Sequence, residues 1–341
     1  MPPAVSSETN IDVICAKAHA RRAAIYEKER LARLCELRGF SNLVAEVFPE
    51  EGIEDHRQFQ KRLTEDHLSQ VTWILKYLGG RPYELFSWLL QRYRIENLKV
   101  IFRGFHARLG PQEVGRHLIA TPDQPPLPVE EMVGAANPDE FAELVPDHAL
   151  GAMVTRSMES YKKNKKPFFF EAAVDGLFYS RLLSIADEPS LEDLSGCLPM
   201  LALEADIYLL MLVLRAKLNY GVDFSEIEPF VHIRGAVRVE ALNAICAAGG
   251  LSEAIGSLPK NLARAIGENI ETIGELERAL RAYFHTQVNA AFYASGISLA
   301  VAVAFYYLKR IELENLIRLS EGYRYGLSAA EMRRCLVPPA E

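Results

Sequence analysis

Three stretches of apolar residues, recurring at three- and four-residue steps, constrain this chain more than anything else in it. The first runs through Leu85, Phe86, Leu89, Leu90, Tyr93, Ile101, Phe102 and Phe105. The second holds Leu201, Ile207, Leu210, Met211, Leu214 and Leu218, and the third Val301, Phe305, Leu308, Ile311 and Leu319. A period near 3.6 places such residues along one face of a helix, so each stretch predicts a long amphipathic helix. Convincing two-residue alternation is absent, and the expected fold class is all-α. Gly79-Gly80-Arg81-Pro82 marks a break before the first run, with Pro82 suited to the opening turn of a helix. Thr121-Pro-Asp-Gln-Pro-Pro-Leu-Pro128 reads as a loop, because helix does not continue through that density of proline.

The three runs align as copies of one unit. Arg94-Ile-Glu96-Asn97-Leu-Lys-Val-Ile-Phe-Arg103 lies over Asp206-Ile-Tyr-Leu-Leu-Met-Leu-Val-Leu-Arg215, and Glu312-Leu-Glu-Asn-Leu-Ile-Arg318 makes the third copy. Taking Asn97, Leu209 and Asn315 as equivalent gives steps of about 110 residues, the size of a small helical domain. A short acidic-apolar helix closed by proline precedes each long helix: Phe40 to Pro49, Pro138 to Pro146, and Leu251 to Pro259. The implied division is 14–120, 121–235 and 236–341, with exchange of first and last helices between neighbouring copies allowed.

Asn97 is four residues from both Tyr93 and Ile101, and Asn315 is four from Ile311 and Leu319. Both carboxamides therefore point with the apolar stripe and need partners for their donors and acceptor. Bonding to a neighbouring helix end would satisfy them and fix how the helices cross. Leu209 removes the amide from the middle copy, so that bond is not common to all three. Lys99, Arg103, Arg215, Lys217, Lys309 and Arg310 ride on the same helices and read as solvated faces or partners of nearby acids.

The totals exclude several function classes. About half of the 341 residues are apolar, enough for a sizeable core, and the net charge is −7. An acidic pI of about 5.7 argues against life on nucleic acid, which needs a basic face. Cys15, Cys35, Cys197, Cys246 and Cys335 are scattered, which suggests free thiols in a reducing compartment rather than a zinc or redox motif. The polar start, Met1 to Asp12, lacks the apolar core of a secretory signal, so a cytoplasmic location is expected. Thr286 to Leu308 is uncharged and long enough to span a bilayer. Its Asn289, Ser298 and tyrosines, with the Ser295-Gly296 pair, instead read as a turn followed by a buried core helix.

No phosphate-binding glycine loop, His-Glu-x-x-His pair, Glu-x-x-His pair or Gly-x-Ser-x-Gly elbow occurs, so no catalytic, cofactor or metal site is expected. His56 and His67 read as surface histidines. Lys162, Lys163, Lys165 and Lys166, before Pro167, suit a helix C-terminus. A sharper reading puts them against lipid headgroups or acidic loops at a membrane face.

With the repeat in view, the chain resembles the C subunit of bacterial and archaeal V/A-type ATPases, which is the d subunit of the eukaryotic pump. The family signature, an acid three residues before Asn-Leu with an arginine downstream, is Glu312-Leu-Glu-Asn315-Leu-Ile-Arg318 here. Glu204-Ala-Asp206 with Arg215 resembles the middle copy, and Tyr83 to Arg103, including Glu96 and Asn97, the first. Val174 to Leu183 is similar to a further family segment. Arg94 replaces the acid in the first copy, and Leu209 the Asn in the second. The resemblance implies three related helical domains arranged as a funnel-like body on the cytoplasmic side of the membrane. It also implies a non-catalytic role between the central shaft, made of the D and F subunits, and the proteolipid (c/K) ring, passing torque in ATP-coupled ion transport. An unrelated helical adaptor and an all-α enzyme with a dispersed site stand as alternatives.

Overall fold

The three apolar runs become the three longest, most deeply packed helices of the computed structural model, which describes residues 9–121, 124–187, 194, 196–267 and 270–339. The chain opens with α1 (Ile11–Arg22), α2 (Phe40–Val47) and α3 (His56–Thr72), then the first long helix, α4 (Gly80–Ala107). The middle part holds α5 (Pro138–Glu143), α6 (His148–Asn164), α7 (Pro167–Ala186) and the second long helix, α8 (Leu198–Tyr220). The last part holds α9 (Leu251–Gly256), α10 (Ile273–Ala294), the third long helix α11 (Leu299–Arg324), and α12 (Ala329–Cys335). Further short helices, among them Lys28–Leu34 and Val239–Ala247, fill the connections. No strand occurs among the described residues. The expected proline-rich loop falls at 121–128, of which 122–123 lie outside the described residues.

Local chemistry sets the helix ends. Asp55 accepts from the backbone of Arg57 and Gln58 at the start of α3, and Asn137 from Asp139 and Glu140 at the start of α5. Thr272 and Glu275 form a reciprocal capping box on α10, as do Ser328 and Glu331 on α12. Gly221 closes α8 with φ of 61°, a left-handed conformation that costs a residue with a Cβ. The uncharged stretch from Thr286 to Leu308 divides between the end of α10 and the first turns of α11. Gly296 stands in the turn at φ of 59°. No described helix is long and apolar enough to cross a membrane.

Each long helix packs on a helix from another part of the chain. The first long helix, α4, lies on α7; the second, α8, on α10; the third, α11, on α3. One register repeats across these pairs. Arg103, Arg215 and Glu321 each stand six residues beyond Asn97, Leu209 and Asn315. Arg103 forks onto Glu171 of α7 at 2.6 and 2.7 Å, Arg215 reaches Glu277 of α10 at 2.7 Å, and Glu321 accepts from Gln60 of α3 at 2.5 Å. The third pair brings the end of the chain onto its beginning. A separate apolar cluster seals that junction: Leu43, Phe59 and Leu63 pack with Leu316, Leu319, Met332 and Leu336. Burying each such side chain contributes about 1.5–3 kcal/mol.

Candidate functional site

Where the three long helices approach one another, the structure buries charge. Arg92, Glu204 and Arg310 occupy one register, five residues before Asn97, Leu209 and Asn315. Glu204 is 1% exposed. It accepts from the Arg310 guanidinium, from the Tyr307 hydroxyl and, at 3.4 Å, from the Tyr179 hydroxyl, which itself accepts from Arg92. Burial alone would raise the Glu204 carboxyl, but Arg310, Arg92 and Arg281 hold it down to about 2. An acceptor so firmly ionised is a poor proton donor or base at neutral pH.

One turn further lie Glu96, Tyr208 and Glu314. Lys99 bridges Glu96 at 2.8 Å and both oxygens of Asp175 at 3.1 Å. Glu314 meets Arg310 and Arg318, each at 3.4 Å, and the Tyr208 hydroxyl donates to the Ala172 carbonyl at 3.2 Å. The result is a band of alternating charge from Arg318 on α11, across Glu204 on α8, to Lys99 and Asp175. Alternation is what makes burial tolerable, since each ion has an opposite neighbour.

A second set of polar side chains clips backbone. Asn97 donates to the carbonyl of Ile119 and accepts from its N–H, both at 2.7 Å. Asn315 does the same with Val337, 22 residues on as before, at 2.7 and 2.9 Å. The expected partner was a helix end; each amide instead clasps one residue in the non-helical chain beyond the next short helix. Leu209 has its counterpart in Val231, whose N–H and carbonyl are bonded locally to Glu228 and Ile233. The acid positions clip too. Asp206 accepts from the N–H groups of Ala236 and Val237, both at 3.0 Å, and Glu312 from that of Tyr26 at 2.6 Å.

A Cβ on Gly235 would lie 2.1 Å from the Asp206 carboxylate, which two backbone bonds hold in place. Gly235→Ala is therefore expected to lose about 1–3 kcal/mol in urea melts. Unchanged stability would show that this loop yields easily.

Of the two roles expected for them, Lys99, Lys309 and Arg310 take that of partners of nearby acids, and they are buried there, Lys309 against Glu312. His67 is not on the surface: it is 2% exposed and bonded to the Tyr93 hydroxyl at 2.6 Å. It missed notice because its neighbours in sequence are acidic, while its face of α3 packs on α11. Arg103, Arg215 and Arg318 do keep partly exposed ion pairs, and His56 meets Ser320 at 3.0 Å. Lys162 pairs with Asp139, while Lys163, Lys165 and Lys166 are exposed at the turn between α6 and α7. None of the five cysteines forms a disulfide.

Burial, with the charges of Lys309 and Arg310, pushes the His67 imidazole down to about 3. The unfolded chain binds that proton below about 6.5 but the fold does not, so stability falls as pH drops from 6.5 towards 3. His285 is also lowered by burial and acts in the same direction. Glu204 has the opposite identity and the same consequence: its contribution is full above about 4.5 and is lost as pH falls towards 2. Between pH 6.5 and 4.5, urea midpoints for His67→Gln are expected to vary less with pH than those of the parent chain. An equal slope would remove His67 from the account.

Fold and site together define an all-helical protein whose buried polar groups bind its own helices to one another. The model of the ATP synthase (C/AC39) subunit family matches residues 14–335, and the chain belongs to that family. It is 24% identical to the C subunit of the A-type ATP synthase of Halorubrum lacusprofundi, over 96% of this chain and 98% of that protein. With the C subunit of the A-type ATP synthase of Haloquadratum walsbyi it shares 21% identity, again over 96% and 98% of the two chains.

Proposed function

We propose that this chain is the non-catalytic central-stalk subunit of a rotary V/A-type ATPase, joining the shaft of D and F subunits to the proteolipid ring. The match to two A-type ATP synthase proteins over 96% of the chain carries the reading. The copies 14–120, 121–235 and 236–341 form a funnel-like body at the cytoplasmic side of the membrane, peripheral to it through the ring. In this arrangement the partly accessible Arg92, Glu96, Glu314 and Arg318 line the cavity that takes the shaft. Transmitting torque needs a body that does not shear, and the ion band, buried at Lys99, Glu204 and Arg310, and the backbone clips supply resistance between helices. Lys163, Lys165 and Lys166 lead into α7, whose Phe168 packs 4.7 Å from the half-exposed Tyr220 at the end of α8. That surface faces acidic loops or headgroups at the membrane.

The test is deletion of the chain from an otherwise complete ATPase. ATP hydrolysis by the head is expected to persist while ATP-driven ion uptake into vesicles disappears. Uptake that continues at the parent rate rejects the coupling role.

A further inference from the structure

Arg94 stands in the register where the other copies carry Asp206 and Glu312. Those acids accept backbone N–H groups from the segment that enters the next copy. In the first copy that segment is the loop around Gln124, which corresponds to Ala236 by the same offset. An arginine has no acceptor to offer. What stands beside it is a cavity of ≈ 360 Å³ between α3, α4 and the loop.

The cavity gathers polar atoms that no protein group satisfies. Arg94 is 1% exposed, and none of its three guanidinium nitrogens has a hydrogen-bond partner. The Trp73 indole N–H, Gln91 Oε1 and Gln124 Oε1 are likewise buried without partners, and all four residues line this one cavity. Six of the eleven such atoms found among the described residues thus converge here. Asp147 is the single acid near Arg94, at 3.6 Å, and its other oxygen is engaged in capping α6 through Leu150. Leu68, Leu75, Leu90 and Pro125 make the remaining walls apolar, and the exposed Ser69 and Lys76 stand at the rim.

We propose that this cavity binds a small monocarboxylate with an apolar body, its carboxylate forked onto Arg94 in the place that Asp206 and Glu312 fill in the other copies. A planar guanidinium matches a carboxylate through two parallel bonds, and the Trp73 N–H adds a third donor. The leucines and the Trp73 ring take the hydrocarbon part. The volume is at the small end of ligand sites.

The experiment is thermal unfolding of the full chain with sodium benzoate, against neutral benzamide and inorganic phosphate at matched ionic strength. Benzoate is expected to raise Tm saturably, benzamide and phosphate not. Arg94→Met should weaken the benzoate response at least about tenfold. Without benzoate it should be no less stable than the parent, because an under-compensated buried charge has gone. Equal responses to benzoate and benzamide, a response to phosphate alone, or none to any of the three would overturn the proposal. So would an undiminished benzoate response in Arg94→Met, or marked destabilisation of that variant. The comparison of ligands on the unaltered chain stands even where the variant fails to fold.

Discussion

Glu204→Ala is expected to destabilise the chain by about 3–5 kcal/mol in urea melts at pH 7. The carboxylate is the one anion that Arg310 and Tyr307 of α11 and Tyr179 of α7 all address. Removing it leaves the Arg310 guanidinium, on a side chain 8% exposed, with only Glu314 at 3.4 Å, and leaves a hydroxyl on the fully buried Tyr307 ring without its acceptor. Glu204→Gln keeps shape and one acceptor and should fall between the parent and alanine. Arg103→Ala breaks an exposed pair with Glu171 and serves as the control, at about 0–1 kcal/mol. A loss for Glu204→Ala no larger than that of the control would mean that the band is not what holds α8 to α11.

The second large effect concerns Asn315. Leucine occupies the equivalent place in the middle copy, so Asn315→Leu looks like a substitution the fold already accepts. The structure predicts otherwise. Val337 is 1% exposed, and both its backbone groups are bonded to the Asn315 amide. Leucine orphans the two together, at a cost of about 2–4 kcal/mol. Val231 avoids this fate only because its own loop bonds it locally. Asn97→Leu should cost less, since Ile119 is only half-buried where Val337 is 1% exposed. The reverse change, Leu209→Asn, buries an amide with no free partner and should also destabilise. Urea melts of the three variants give the ranking; an Asn315→Leu protein as stable as the parent would contradict it.

These particulars also mark what the sequence made legible. The three long helices, their breaks at Gly79-Gly80 and Ser295-Gly296, and the short helices before them follow from periodicity and turn chemistry, which act over a few residues. The need of Asn97 and Asn315 for partners was equally visible, because it depends only on which face they share. Their actual partners were not, since a clasp across 22 residues depends on how the chain returns to the helix. The charge band was hidden for a related reason. Arg92, Glu204 and Arg310 differ in sign, so no motif repeats. Only a comparison of the copies register by register, asking which charges complement one another, would have raised them. His67 shows the same limit, with acidic neighbours in sequence and apolar ones in space.

The most direct test of the coupling role is affinity purification of the tagged chain from its own membranes in mild detergent, with mass spectrometry of what accompanies it. The account predicts the D and F subunits of the shaft, the catalytic head and the proteolipid together. Unrelated partners, or none, from membranes that contain a complete ATPase would contradict it and leave a helical scaffold of the same fold.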